Sequence, residues 1–140
     1  ARYQNFYVIN DFQNKRIWNI DHIIICWKWI FTIETKKYST LCHVKKSRKQ
    51  AANEAITLQK ILYKKYWIHW VTPILGFDWM IVQEEFNNDW VNIINNKYIY
   101  KIIERSSRYI DENTIKNIFL YLCENQNKVV KTPISTTTET

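Results

Sequence analysis

The spacing of apolar side chains changes period along the chain. Residues 23–34, IIICWKWIFTIE, place Trp27, Trp29, Phe31 and Ile33 at alternate positions, with Lys28, Thr32 and Glu34 on the other side. A period of two in β-branched and aromatic residues predicts a strand with one buried face. Tyr7, Val8 and Ile9 begin an earlier strand, Lys36-Lys37 predicts a turn, and residues 38–44 read as the returning strand. The period then becomes helical. Ala51, Ala55, Leu58 and Leu62 follow at steps of four, three and four, Ala52 and Ile56 widen the stripe, and Lys49, Asn53, Thr57 and Lys60 face away. Ser47 and Gln50 have the spacing of a capping box, which predicts a helix over 47–65.

The second half is less regular. Trp67, His69 and Trp70 are followed by Thr-Pro-Ile-Leu-Gly, and a short strand is expected over 77–82. Residues 88–108 are mostly helical in pattern, with Trp90, Ile93, Ile94 and Tyr98 near one face. Asp111 can cap a last helix carrying Ile115, Ile118, Phe119 and Leu122. Residues 127–140, ending TPISTTTET, read as a solvated tail. The expectation is therefore an α+β fold. A three-stranded antiparallel sheet packed by an Ala-rich helix fills a domain over 1–65, a mainly α-helical extension spans 66–126, and a tail covers 127–140.

Composition narrows the chemistry. Of 140 residues, 46% are hydrophobic and 16% aromatic, enough for a packed core. One glycine excludes a glycine-rich phosphate loop. Twenty Lys and Arg against thirteen Asp and Glu give a net charge of +7, which favours a polyanionic partner. Ile, Asn, Lys and Tyr fill 60 positions, so AT-rich codons account for part of that charge. Cys26, Cys42 and Cys123 are odd in number and lack a CxxC, which predicts a reducing intracellular setting, cytoplasm or mitochondrion. No apolar run reaches the roughly 18 residues of a membrane span, and no membrane partner is expected. The missing initiator Met suggests a processed or excised chain.

Residues 45–56, KKSRKQAANEAI, combine basic residues with paired alanines and an Ala55-Ile56 step. In that order, after two strands, they resemble the last helix of a double-stranded RNA-binding domain, over about residues 7–62. The resemblance implies contact with double-stranded or structured RNA through phosphates. Lys45, Lys46, Arg48 and Lys49 would bridge the major groove, and His22 would lie in the loop that meets a minor groove. Cations suit a phosphate site at a helix N-terminus, where backbone amides also favour anions. The family's two glycines before the helix are replaced here by Ser39 and Leu41, and little chain remains for its first helix.

Three functions follow. The first is non-catalytic RNA binding. The second is a structural subunit of a large ribonucleoprotein assembly, such as an organellar ribosomal protein, with protein as well as RNA partners. The third is a vestigial nuclease, because residues 73–78, PILGFD, resemble the first strand of DEDD 3′–5′ exonucleases. Met80 stands where that family's second carboxylate belongs. Cys42 and His43, adjacent on a strand, would point to opposite faces, so zinc is not expected with Cys26 and His22. No cofactor is expected.

Overall fold

A computed structural model describes residues 6–15, 19–38, 41–79, 90–126 and 138–139. Strands β1 (Tyr7–Phe12), β2 (Ile20–Cys26) and β3 (Trp29–Tyr38) come first. Helix α1 (Leu41–Tyr66) leads to β4 (Thr72–Trp79) and β5 (Asn92–Asn95). A 3-10 turn (Asn96–Tyr98) opens α2 (Ile99–Arg105), and α3 (Glu112–Glu124) follows. A two-residue strand, β6 (Thr138–Glu139), joins the sheet at its far edge.

The sheet order is β5-β4-β3-β2-β1-β6. β1, β2 and β3 form an antiparallel meander, and β6 lies antiparallel to β1. β3, β4 and β5 are parallel. A parallel neighbour requires a crossover, and α1 supplies it between β3 and β4.

The expected three-stranded antiparallel sheet is corrected to a mixed one: β4 begins at Thr72, ahead of the short strand expected over 77–82, and β5 lies inside the stretch expected to be helical. Three local differences explain this. The continuous strand expected over 23–34 is two strands joined by a tight turn at Trp27 and Lys28, with Cys26 opposite Trp29. The turn has no glycine, and the 104–110 segment holds it. Ser106 donates to the Lys28 carbonyl at 2.8 Å, Lys28 Nζ donates to the Glu104 and Ser106 carbonyls, and Ile110 N–H donates to the Trp27 carbonyl. The expected Lys36-Lys37 turn lies inside β3, which runs to Tyr38, and residues 41–44 of the expected returning strand are the first turn of α1. Ser47 is consequently buried within the helix rather than capping it.

The two faces of the sheet bury different sets of residues. Ala55, Leu58 and Leu62 of α1 share a core with Ile23, Ile25 and Ile30, which α3 joins through Ile115, Ile118 and Leu122. Val44 and Ala51 cover Leu75 and Phe77 of β4. Phe31 and Ile33, expected beneath α1, instead pack with Ile74 and with Ile102 and Ile103 of α2 on the opposite face. The alternate β3 positions, Thr32 and Glu34, face α1 and are also buried. The face expected to be solvated thus lies under the main helix.

Candidate active site

The alternation of β3 puts Glu34 and Lys36 on the α1 side of the sheet. The β2–β3 register, in which His22 faces Ile33, continues to set Asp21 opposite Glu34. Cross-strand partners share a face, so two carboxylates and a lysine converge from two adjacent strands. Helix α1 crosses above them and adds Gln50 and Glu54, one turn apart on one flank.

Hydrogen bonds hold this cluster. Lys36 Nζ lies 3.4 Å from Glu34 Oε2. Gln50 Nε2 donates to the same oxygen at 3.1 Å and to Glu54 Oε2 at 3.0 Å. Asp21 Oδ2 accepts from the Thr35 backbone N–H at 3.0 Å and from its hydroxyl at 3.2 Å. Glu34 is only 5% exposed. Among the described residues, its Oε1 and that of Glu54 are buried without a hydrogen-bond partner.

Three carboxyl groups facing one lysine leave an excess of negative charge. Burial first, and then Asp21, pushes the Glu34 carboxyl above its ordinary value. Burial, with further contributions from Glu34 and Asp21, pushes Glu54 up to about 8, although its bond from Gln50 opposes this. Such a site gains from a cation. Among the described residues no group of three or more His, Cys, Asp or Glu is disposed to hold a metal ion. The described residues therefore form no closed cage of protein ligands. Asp21 and Glu34 fit the other arrangement, in which one or two carboxylates hold Mg²⁺ and water and substrate phosphate complete the shell. Glu34 Oε1, buried and without a hydrogen-bond partner among the described residues, is an atom such a cation would satisfy.

Among sequence-derived candidates, Lys45, Lys46 and Lys49 are exposed on α1 and Arg48 is half-buried. Helical geometry spreads them: Lys46 lies one turn before Gln50 on the carboxylate flank, Lys45 and Lys49 face outward, and Arg48 lies on the far side. They occupy the second turn of α1, not its tip. His22 lies on β2 rather than in a loop, with Nδ1 2.8 Å from Oδ1 of its cross-strand neighbour Asn10. Asp78 is exposed on the α2 side, where Asn96 donates to its carboxylate at 2.7 Å, so it does not meet the other carboxylates. Cys26 is buried, and the side chains of Cys42 and His43 lie outside the described residues.

The model of the nuclease-related domain family matches residues 1–77, more than half of the chain. The chain belongs to that family. Neither the curated proteins nor the solved structures contain a match to it. In this nuclease-related domain the matched segment carries all five polar groups of the cluster. The resemblance to a double-stranded RNA-binding domain is overturned by this match and by the mixed sheet. With it fall the readings as a non-catalytic RNA binder and as a ribosomal or other ribonucleoprotein subunit. The basic, alanine-rich helix that carried the resemblance is a crossover helix between parallel strands. The missed residues had one signal in the sequence. Asp21 and the Glu34-Thr35-Lys36 step lie in or beside strongly apolar strands, where a charged side chain requires a partner.

Proposed function

We propose that this domain hydrolyses phosphodiester bonds in nucleic acid at the Asp21–Glu34–Lys36 cluster. The observation that carries this reading is Glu34. It is a buried carboxylate opposite Asp21, held by Lys36 and Gln50, in a nuclease-related chain. Asp21 and Glu34 would hold a divalent cation of the Mg²⁺ type, which when bound supplies Lewis acidity to a phosphoryl oxygen. In the reaction, water adds to phosphorus, one ester P–O bond breaks, and the departing oxygen takes a proton.

The protein's own groups have distinct parts. Lys36 presents a cation where negative charge grows on the phosphoryl oxygens, stabilisation that is preorganised by its pairing with Glu34. Thr35 fixes the Asp21 carboxylate through two hydrogen bonds, and Gln50 fixes that of Glu34. Lys46, on the carboxylate flank, and the outward Lys45 and Lys49 make that side of α1 positive and attract the phosphate backbone. Nucleic acid is the partner this charge suits.

The test is cleavage of a labelled 30-mer, single- and double-stranded, with Mg²⁺ or Mn²⁺ and with EDTA. Cation-dependent cleavage is expected, abolished in Asp21→Asn and Glu34→Gln. Cleavage that survives both substitutions, or none by the parent with either cation, defeats the proposal.

A further inference from the structure

One flank of α1 connects the carboxylate cluster with a second feature. Gln50, Glu54, Ile61 and Lys64 follow at steps of four, seven and three, which lie along one side of a helix. Gln50 and Glu54 border the carboxylates. Ile61 and Lys64 border a cavity of about 430 Å³ between α1, the end of α3 and the segment after β1. Its polar lining includes Asn14, Lys15, Lys64, Tyr121, Glu124 and Gln126. The volume falls among small-ligand sites, roughly 300–1,000 Å³.

We infer that this cavity is a subsite for one nucleotide of the substrate strand, several nucleotides from the scissile bond. The inference rests on the hydrolytic reading above and adds how the strand is held. Lys15, in the segment after β1, and Lys64, on α1, both line the cavity and supply two cations for one phosphate. The Gln126 amide offers donors and an acceptor to a base edge, and the Tyr121 ring, which also meets Lys65 and Tyr66, contributes an aromatic wall. Spacing agrees with a continuous strand. From Glu54 to Lys64 the helix rises about 15 Å at 1.5 Å per residue. That is about four nucleotides at the 3.4 Å rise of a strand that keeps its bases stacked. Glu124 is the one lining group that opposes an anion, and it gives the inference a second sign to test.

The test is fluorescence anisotropy with the full chain in EDTA, where no cation supports hydrolysis. The probes are labelled decathymidylate, labelled dithymidylate and unlabelled thymidine monophosphate as competitor. Decathymidylate should bind at least tenfold tighter than the dinucleotide. Lys15→Ala with Lys64→Ala should weaken it tenfold or more and leave the dinucleotide within twofold. Lys15→Arg with Lys64→Arg should restore it, and Glu124→Gln should tighten it. Equal affinity for the two lengths, or unchanged decathymidylate binding in the alanine pair, overturns the subsite. Displacement of decathymidylate by the monophosphate at equal affinity also overturns it, since the cavity would then hold a free nucleotide. A chain that binds the ten-mer through Lys15 and Lys64 but never cleaves it retains the subsite and loses the hydrolytic reading.

Discussion

Glu34 and Glu54 share a buried corner in which both carboxyls carry an unpartnered oxygen. A buried carboxylate without sufficient counter-charge is held closer to its neutral form. Glu54 keeps its proton up to about 8 in the folded chain, against an ordinary value of 4.5. Between those values the folded state binds more protons than the unfolded state, so stability falls as pH rises. Glu34 shifts in the same direction. The expected outcome, in EDTA, is a urea midpoint that declines from pH 5 to pH 8 and levels above it. The loss is a few kcal/mol, on the order of 1.4 kcal/mol per pH unit. Glu54→Gln should flatten most of that slope. Glu34→Gln should remove cleavage by at least about a hundredfold, as loss of transition-state electrostatics does. It should leave the metal-free protein at pH 8 at least as stable as the parent, because a buried charge has gone. Paired denaturation and cleavage assays check both halves.

At the scale of elements, the single glycine marks where β4 meets the 3-10 turn. A Cβ at Gly76 would fall on Asn96 Oδ1 and lie 3.1 Å from Ile99 Cδ1. Asn96 is itself tied to Asp78 by a 2.7 Å hydrogen bond. Gly76→Ala should therefore destabilise by about 1–3 kcal/mol, the usual cost of overpacking, read as a lower urea midpoint. Helix α3 begins at Asp111, whose carboxylate accepts from the Thr114 N–H at 3.1 Å and its hydroxyl at 2.7 Å. These bonds lower the Asp111 carboxyl below its ordinary value. Their contribution is present above that ordinary value and fades as pH falls through the lowered one. Asp111→Ala should reduce helicity by circular dichroism at neutral pH, and the difference from the parent should shrink in acid. This cap, and the buried Ile115, Ile118 and Leu122 behind it, were legible from the residue pattern.

For the whole molecule, a cation bound by the folded site and not by the unfolded chain must raise the melting temperature. Mg²⁺ titration should raise it in the parent and leave Glu34→Gln flat, which scanning fluorimetry reads directly. Nucleic-acid binding should weaken with salt, the slope reflecting how many phosphates the lysines neutralise. The carboxylate cluster was not legible because it depends on two distant decisions. One is the Trp27–Lys28 turn, secured by Ser106 and Ile110 from the far end of the chain. The other is the side of β3 that α1 chose. Alternation identified the two faces of β3 correctly. It could not show that both would be covered, with Glu34 on the face under α1.

The residues alone determined local periodicities: β1, the alanine stripe of α1, the capped α3 and the positive surface. Each is set by neighbours within a few positions, where side-chain spacing and backbone preference act directly. Only tertiary structure decided that β3 continues through Lys36-Lys37, that α1 carries the chain across to a parallel β4, and that Asp21 faces Glu34. Those outcomes depend on pairing between segments far apart in sequence, and a β2–β3 register one residue different would have put Asp21 and Glu34 on opposite faces of the sheet.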